Sequence, residues 1–149
     1  MRAVIQRVKL ASVEIDGMQH AAIGSGLLVL LGITQQDTAE DAEWLVSKIL
    51  QMRIFSDHEG KMNLSVQDIS GEILVVSQFT LFAQVKKGNR PSFIQAAKPE
   101  HAIPLYELFI EKCGSTGLKV KSGQFGADMQ VKLANDGPVT ICIDTQRKE

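Results

Sequence analysis

The sequence predicts an α/β domain: a curved, barrel-like, mostly antiparallel or mixed β-sheet with two helices packed on it. Three observations lead there. A chain of 149 residues is a single-domain length, and residues 1–149 contain no linker, repeat or low-complexity segment. Short apolar or alternating runs recur along it, as strands require. Only two stretches carry helical periodicity. With 44% hydrophobic and 22% charged residues, the composition is that of an ordinary globular protein.

Residues 2–9 and 11–15 alternate well enough to predict two strands, and Asp16-Gly17 supplies turn chemistry after the second. Gly24-Ser25-Gly26 leads into Leu27–Ile33, a fully apolar strand. Thr38 reads as a helix N-cap, with Glu40 and Asp41 near the positive end of the helix dipole. Ala42, Leu45, Ile49 and Met52 then place one apolar face on that helix. Ser56–Gly60 closes the unit as a polar loop. Ile73–Val76 is an aliphatic run of the kind found in strands buried on both faces. Lys86–Pro91 is a basic loop. Pro99 sits where a second helix begins, Ile103, Leu105, Leu108 and Phe109 would be its apolar face, and Gly114 would end it. Gly117–Val120 is a short strand. Met129, Val131 and Leu133 alternate with polar residues. Val139, Ile141 and Ile143 do the same beyond a turn at Asn135–Pro138.

The net charge of −1 exerts no global pull toward nucleic acid or an anionic membrane, so RNA binding would need a local patch. Neither DNA nor membrane is an expected partner. Charges interrupt the first eight residues, which argues against a secretory signal. The longest apolar run, Leu27–Leu31, is far short of the roughly 20 residues that span a bilayer. Cys113 and Cys142 fall in stretches that read as buried helix or strand. Two isolated thiols predict a reducing compartment, hence a cytoplasmic protein.

Most familiar catalytic parts are missing. His20, His58 and His101 fall in expected turns or at a helix start, with no carboxylate or cysteine at ligand spacing, so no metal site or cofactor is predicted. There is no glycine-rich phosphate loop and no serine elbow. Two polar points remain. Ser77, Gln78 and Thr80 interrupt the end of the Ile73–Val76 strand. They either bond back to neighbouring backbone or meet a ligand. Asn135–Thr140 contains a Gly-Pro step that either makes a hairpin turn or points two carbonyls outward together.

Taken as a set, Ser77-Gln78-Phe79-Thr80-Leu81 and Asn135-Asp136-Gly137-Pro138-Val139-Thr140 resemble the D-aminoacyl-tRNA deacylase family. Met1–Val8, Lys61–Leu64, Arg90–Phe93 and Gly123–Met129 extend the resemblance over nearly the whole chain. The resemblance implies a cytosolic homodimer that hydrolyses the ester between a D-amino acid, or mischarged glycine, and tRNA. It implies active sites at the dimer interface. Ser77, Gln78, Phe79 and Thr80 would act on the aminoacyl end, with Phe125 and Met129 beside the substrate. Gly137 and Pro138 of the other subunit, in a cis peptide oriented by Arg7, would hold the amino group and exclude an L side chain.

The residues fit that chemistry. An aminoacyl ester is already activated, so backbone N–H groups around Phe79 and Thr80 could supply the main stabilisation, with water as nucleophile and the terminal 2′-hydroxyl of the tRNA assisting. Thr80 would position the substrate, since a threonine nucleophile needs a base. No acid lies between Glu72 and Glu100, whereas Lys86, Lys87, Arg90 and Lys98 do. The basic loop is either solvated or a phosphate contact. Two other classes stay open: an RNA- or metabolite-binding module without catalysis, and a Thr80 hydrolase of small esters or peptides.

Overall fold

A computed structural model describes residues 1–148 of the chain. In order it contains β1 (Arg2–Ile15), β2 (Met18–Ile23), β3 (Gly26–Gly32), α1 (Ala39–Gln51), β4 (Phe55–Ser56) and β5 (Met62–Leu64). Then come β6 (Glu72–Ser77), a single 3-10 turn (Phe79–Phe82), α2 (Pro99–Gly114), β7 (Val120–Ser122) and β8 (Gln130–Asp144). No helix among the described residues is long and apolar enough to cross a membrane.

The continuous apolar runs pair with each other. β3 and β6 are parallel, from Gly26 opposite Glu72 to Leu31 opposite Ser77, and β7 adds in parallel to β6. Alternate residues then face two different cores. Leu27, Val29, Ile73 and Val75 pack with Leu45 and Ile49 of α1 and Leu105 and Phe109 of α2. Leu28, Leu74 and Val76 pack with Val8, Val13, Ala21 and Ile23. A strand with apolar material on both faces has no polar face to alternate with, which explains the unbroken runs. β1 closes the architecture. One edge pairs antiparallel with β3 through Arg2–Val8 and with β2 through Ala11–Ile15, while the other pairs with β8 from Arg2 to Glu14. The mixed six-stranded sheet curls into a nearly closed barrel carrying both helices, as the sequence predicts.

Several elements depart from the expected boundaries. Residues 2–15 form one strand instead of two. β8 runs from Asn135 to Ala134 while β1 runs from Val8 to Leu10, so Lys9 is an extra residue, a bulge. The bulge changes parity: Ala3 and Ile5 face the helices, Ala11 and Val13 the barrel interior. β2 was not expected, because Met18, Gln19 and His20 are exposed and only Ala21 and Ile23 bury side chains. His20 therefore lies on a strand and not in a turn. The Ser56–Gly60 loop joins a small β4–β5 hairpin, with Ser56 itself in β4. β7 begins at Val120, where its ladder to Ile73 starts, so the strand expected at 117–120 lies farther along. The buried face of α2 is Ala102, Leu105, Tyr106, Phe109 and Cys113, with Ile103 and Leu108 only at its rim. Cys142 is exposed, since its strand end buries only the alternate residues in part.

Polar ties hold the seams. The α-amino group of Met1 is buried 2.5 Å from both Asp37 Oδ1 and Thr145 Oγ1, joining the start of β1 to the loop before α1 and to the chain after β8. Thr38 N–H donates to Asp41 Oδ2 at 3.0 Å at the start of α1, in line with the expected cap. Tyr106 O–H donates to the Val75 carbonyl at 3.0 Å.

Burial pushes the Tyr106 phenol up from 10.0 to about 12 and the Cys113 thiol up from 9.0 to about 12. Between those values the unfolded chain has released protons that the folded chain still holds, so stability falls as pH rises. Urea unfolding across this alkaline range should show that decline. Tyr106→Phe with Cys113→Ala should flatten it, and an equal slope in the double variant would count against the assignment.

Candidate active site

The end of β6 is where the buried strand turns polar. Gln78 N–H donates to the Leu31 carbonyl at 2.8 Å, carrying the β3 ladder one step past Ser77. The chain then bends into the Phe79–Phe82 turn. A Cβ on Gly32 would sit 3.0 Å from both the Gln78 carbonyl and the Phe82 ring, so glycine permits that close approach. The first donor inside the turn is Leu81, which reaches the Gln78 carbonyl at 3.3 Å. The N–H groups of Phe79 and Thr80 precede it, as the first donors of any helical turn do, and have no partner within the turn.

A cleft of about 280 Å³ opens beside this turn. Ser77, Gln78, Phe79, Phe125 and Met129 all line it. Tyr106 backs Phe125 edge-to-face, with ring centroids 5.7 Å apart. Five of the predicted site residues are thus brought together. Thr80 lies next to them on the exposed turn, where its Oγ1 accepts a hydrogen bond from Gln78 Nε2. No hydrogen bond joins it to an imidazole, carboxylate or amine among the described residues. Asp128, Leu31, Ile33 and Ala102 also line the cleft and were not singled out in the sequence. The apolar three look like any core residue of a strand or helix. Asp128 had no partner spacing to mark it.

The Gly-Pro step is not a hairpin turn. β8 is continuous from Gln130 to Asp144, and Asp136–Val139 bulges where Arg7 alone separates Gln6, opposite Thr140, from Val8, opposite Asn135. The Gly137-Pro138 peptide is cis and Gly137 has φ +128°. Gln6 Oε1 accepts from Thr140 Oγ1 at 2.5 Å and from Asn135 Nδ2 at 2.7 Å, drawing the ends of the bulge together. Arg7 is buried, 8% exposed, on the helix-facing side of β1. Its Nε donates to the Asp136 carbonyl at 3.0 Å and its Nη1 to the Ile54 carbonyl at 2.6 Å. Gly137 and Pro138 are exposed and do not line the cleft. Within one chain, the two motifs remain apart.

Lys86, Lys87 and Arg90 lie in an exposed loop closed at its base by paired backbone bonds between Gln84 and Ser92, at 2.8 and 3.0 Å. None of the three forms an ion pair among the described residues.

The chain is 65% identical over 150 residues to the D-aminoacyl-tRNA deacylase of Cytophaga hutchinsonii and 61% identical to that of Akkermansia muciniphila, each match covering both chains in full. Its fold superposes on the c-Myc DNA Unwinding Element Binding Protein with a TM-score of 0.90 and 49% identity, over 97% of this chain and 98% of that one. Residues 4–144 match the family described as D-Tyr-tRNA(Tyr) deacylase, a span that takes in both the cleft and the Gly-Pro bulge. On this match and the full-length identities, the chain belongs to the D-Tyr-tRNA(Tyr) deacylase family.

Proposed function

We propose that the protein hydrolyses the ester bond of D-aminoacyl-tRNA, releasing the free D-amino acid and tRNA, and that it also clears glycine mischarged on tRNA. The observation that carries this reading is the cleft beside a turn whose first two N–H groups have no partner within the turn, in a chain related over its full length to proteins named D-aminoacyl-tRNA deacylase. The ester carbonyl would face Phe79 and Thr80, whose N–H groups stabilise the oxyanion, an effect worth about 3–4 kcal/mol per donor. Water attacks the carbonyl and the 3′-oxygen of the ribose departs with a proton relayed by its 2′-hydroxyl. Thr80 positions the substrate. The Gln78 amide at its hydroxyl is a donor and no base, which favours this role over a covalent one.

The selectivity follows from a second copy of the chain. Gly137 and Pro138 are exposed and lie outside their own cleft, so in a homodimer they would reach across to the partner's. Their carbonyls would hold the substrate amino group and leave no space for an L side chain. Glycine has no side chain to exclude. Arg7, bonded to the carbonyl before Gly137, would keep the bulge oriented. Such an enzyme belongs in the cytoplasm, where tRNA is charged. The deciding assay is metal-free deacylation of D-tyrosyl-, L-tyrosyl- and glycyl-tRNA. The D and glycyl esters should be cleaved and the L ester spared, whereas equal rates on D and L would overturn the chiral reading.

Three variants probe the parts. Thr80→Ala should retain substantial deacylation without a trapped acyl-enzyme, and a covalent Thr80 ester seen by mass spectrometry after rapid quench would reverse its role. In Gly137→Ala the new Cβ would stand 2.9 Å from Val139 Cγ2 and 3.0 Å from Arg7 Nη2, at a φ that side chains rarely adopt. The change should cost about 1–3 kcal/mol of stability and lower D-substrate activity at least tenfold in a folded protein. Wild-type rate and D-over-L preference in that variant would place selectivity elsewhere. Neutralising Lys86, Lys87 and Arg90 together should weaken tRNA binding and flatten its salt dependence without altering chirality. An unchanged salt titration would remove the loop from the RNA surface.

A further inference from the structure

The segment after the 3-10 turn carries a second unusual surface. Phe79 is 57% exposed, Val85 65% and Ile94 84%. Phe79 and Phe93 meet edge-to-face with centroids 5.1 Å apart and planes at 78°. Ile94 follows Phe93 in the chain and Val85 adjoins the Gln84–Ser92 bridge, so these exposed apolar side chains belong to one segment, and exposed apolar groups of this kind mark a place where something binds. The charge around them narrows the occupant. Lys9, Lys61, Lys112, Lys119 and Lys132 each pair with a carboxylate. Lys86, Lys87, Arg90 and Lys98 pair with none among the described residues, and no acid occurs from Ile73 to Pro99. An aromatic and aliphatic surface beside uncompensated cations suits a ligand with flat apolar faces on an anionic backbone. Unpaired nucleotides have that chemistry, because their bases are free to stack while their phosphates seek cations.

Resting on the deacylase reading, we propose that Phe79, Phe93 and Ile94 form a stacking platform for the unpaired 3′-terminal nucleotides of the tRNA, whose phosphates are taken by the Gln84–Ser92 loop. Thr80 follows Phe79 directly, so nucleotides on the platform lead straight to the cleft. Stacking accepts any base, so the platform grips the shared single-stranded end and leaves tRNA identity unread. It divides the work with the loop: apolar faces hold bases, cations hold phosphates.

The test is fluorescence anisotropy with uncharged tRNA and with the same tRNA trimmed of its unpaired 3′ nucleotides. Wild-type protein should bind the trimmed RNA about tenfold more weakly. Ile94→Ser and Phe93→Leu should bind intact tRNA nearly as weakly as trimmed tRNA, losing most of that difference. Ile94 is so exposed that its variant should fold normally, which keeps the test valid if Phe93→Leu does not. Indifference of the wild-type protein to trimming, or a full trimming penalty in Ile94→Ser, would overturn the proposal. So would unchanged RNA affinity with altered sedimentation, since the patch would then join copies of the chain. Binding is read without hydrolysis: a platform that works in a protein inactive on D-aminoacyl-tRNA would defeat the deacylase reading alone.

Discussion

A buried guanidinium is the constraint around which this chain is arranged. Arg7 lies at a position of β1 whose neighbours Ala3 and Ile5 enter the helix-facing core. A charge taken out of water must find hydrogen-bond partners. Arg7 finds them in two carbonyls, Ile54 after α1 and Asp136 before the Gly-Pro step. The Asp136 carboxylate adds a contact at 3.4 Å, shared with Lys9. One side chain thus ties the middle of β1, the loop after α1 and the bulge of β8. The exposed Gly137-Pro138 peptide sits on a rigid base because its neighbour serves as ligand to a buried cation.

The barrel sets the other half of the site. β3 and β6 bury both faces, so neither can tolerate polar side chains until the ladder ends. It ends at Gln78, and there the chain turns with two N–H groups that have no partner within the turn. Tyr106 and Phe125 extend the helix-side core into the cleft wall, so the pocket has apolar walls continuous with the fold's interior. Preorganised donors in an apolar recess suit a reaction whose main demand is stabilising a transient oxyanion.

The same economy extends outward. Among the described residues none beside Thr80 supplies a strong base, and the activated ester with a vicinal hydroxyl proposed as substrate would need none. In the reading proposed above, RNA recognition would fall to one stretch, residues 79–98, where an acid-free basic loop is flanked by the two partners of an aromatic pair, Phe79 and Phe93. A chain with a net charge of −1 can therefore offer a cationic surface without being basic overall.

The sequence by itself determined the class of fold, the α1 cap and apolar face, the doubly buried β6 and the acid-free loop. Each is a local matter of periodicity, capping or charge counting. The family motifs were equally legible, because residue identities need no coordinates. Other features emerged only in the tertiary structure. The Lys9 bulge keeps residues 2–15 one strand while reversing its faces, which a break in alternation cannot distinguish from a strand end. Asn135–Pro138 has every mark of a turn, yet β1 pairs on both sides of it, and pairing between residues as far apart as Gln6 and Thr140 leaves no local trace. β2 was hidden because little of it is buried. Leu31, Ile33 and Ala102 became cleft residues only when the ends of β3 and α2 met, since an apolar side chain looks the same whether it faces core or ligand. Long-range register, and with it which side of a strand is empty, is decided by packing and not by the strand's own residues.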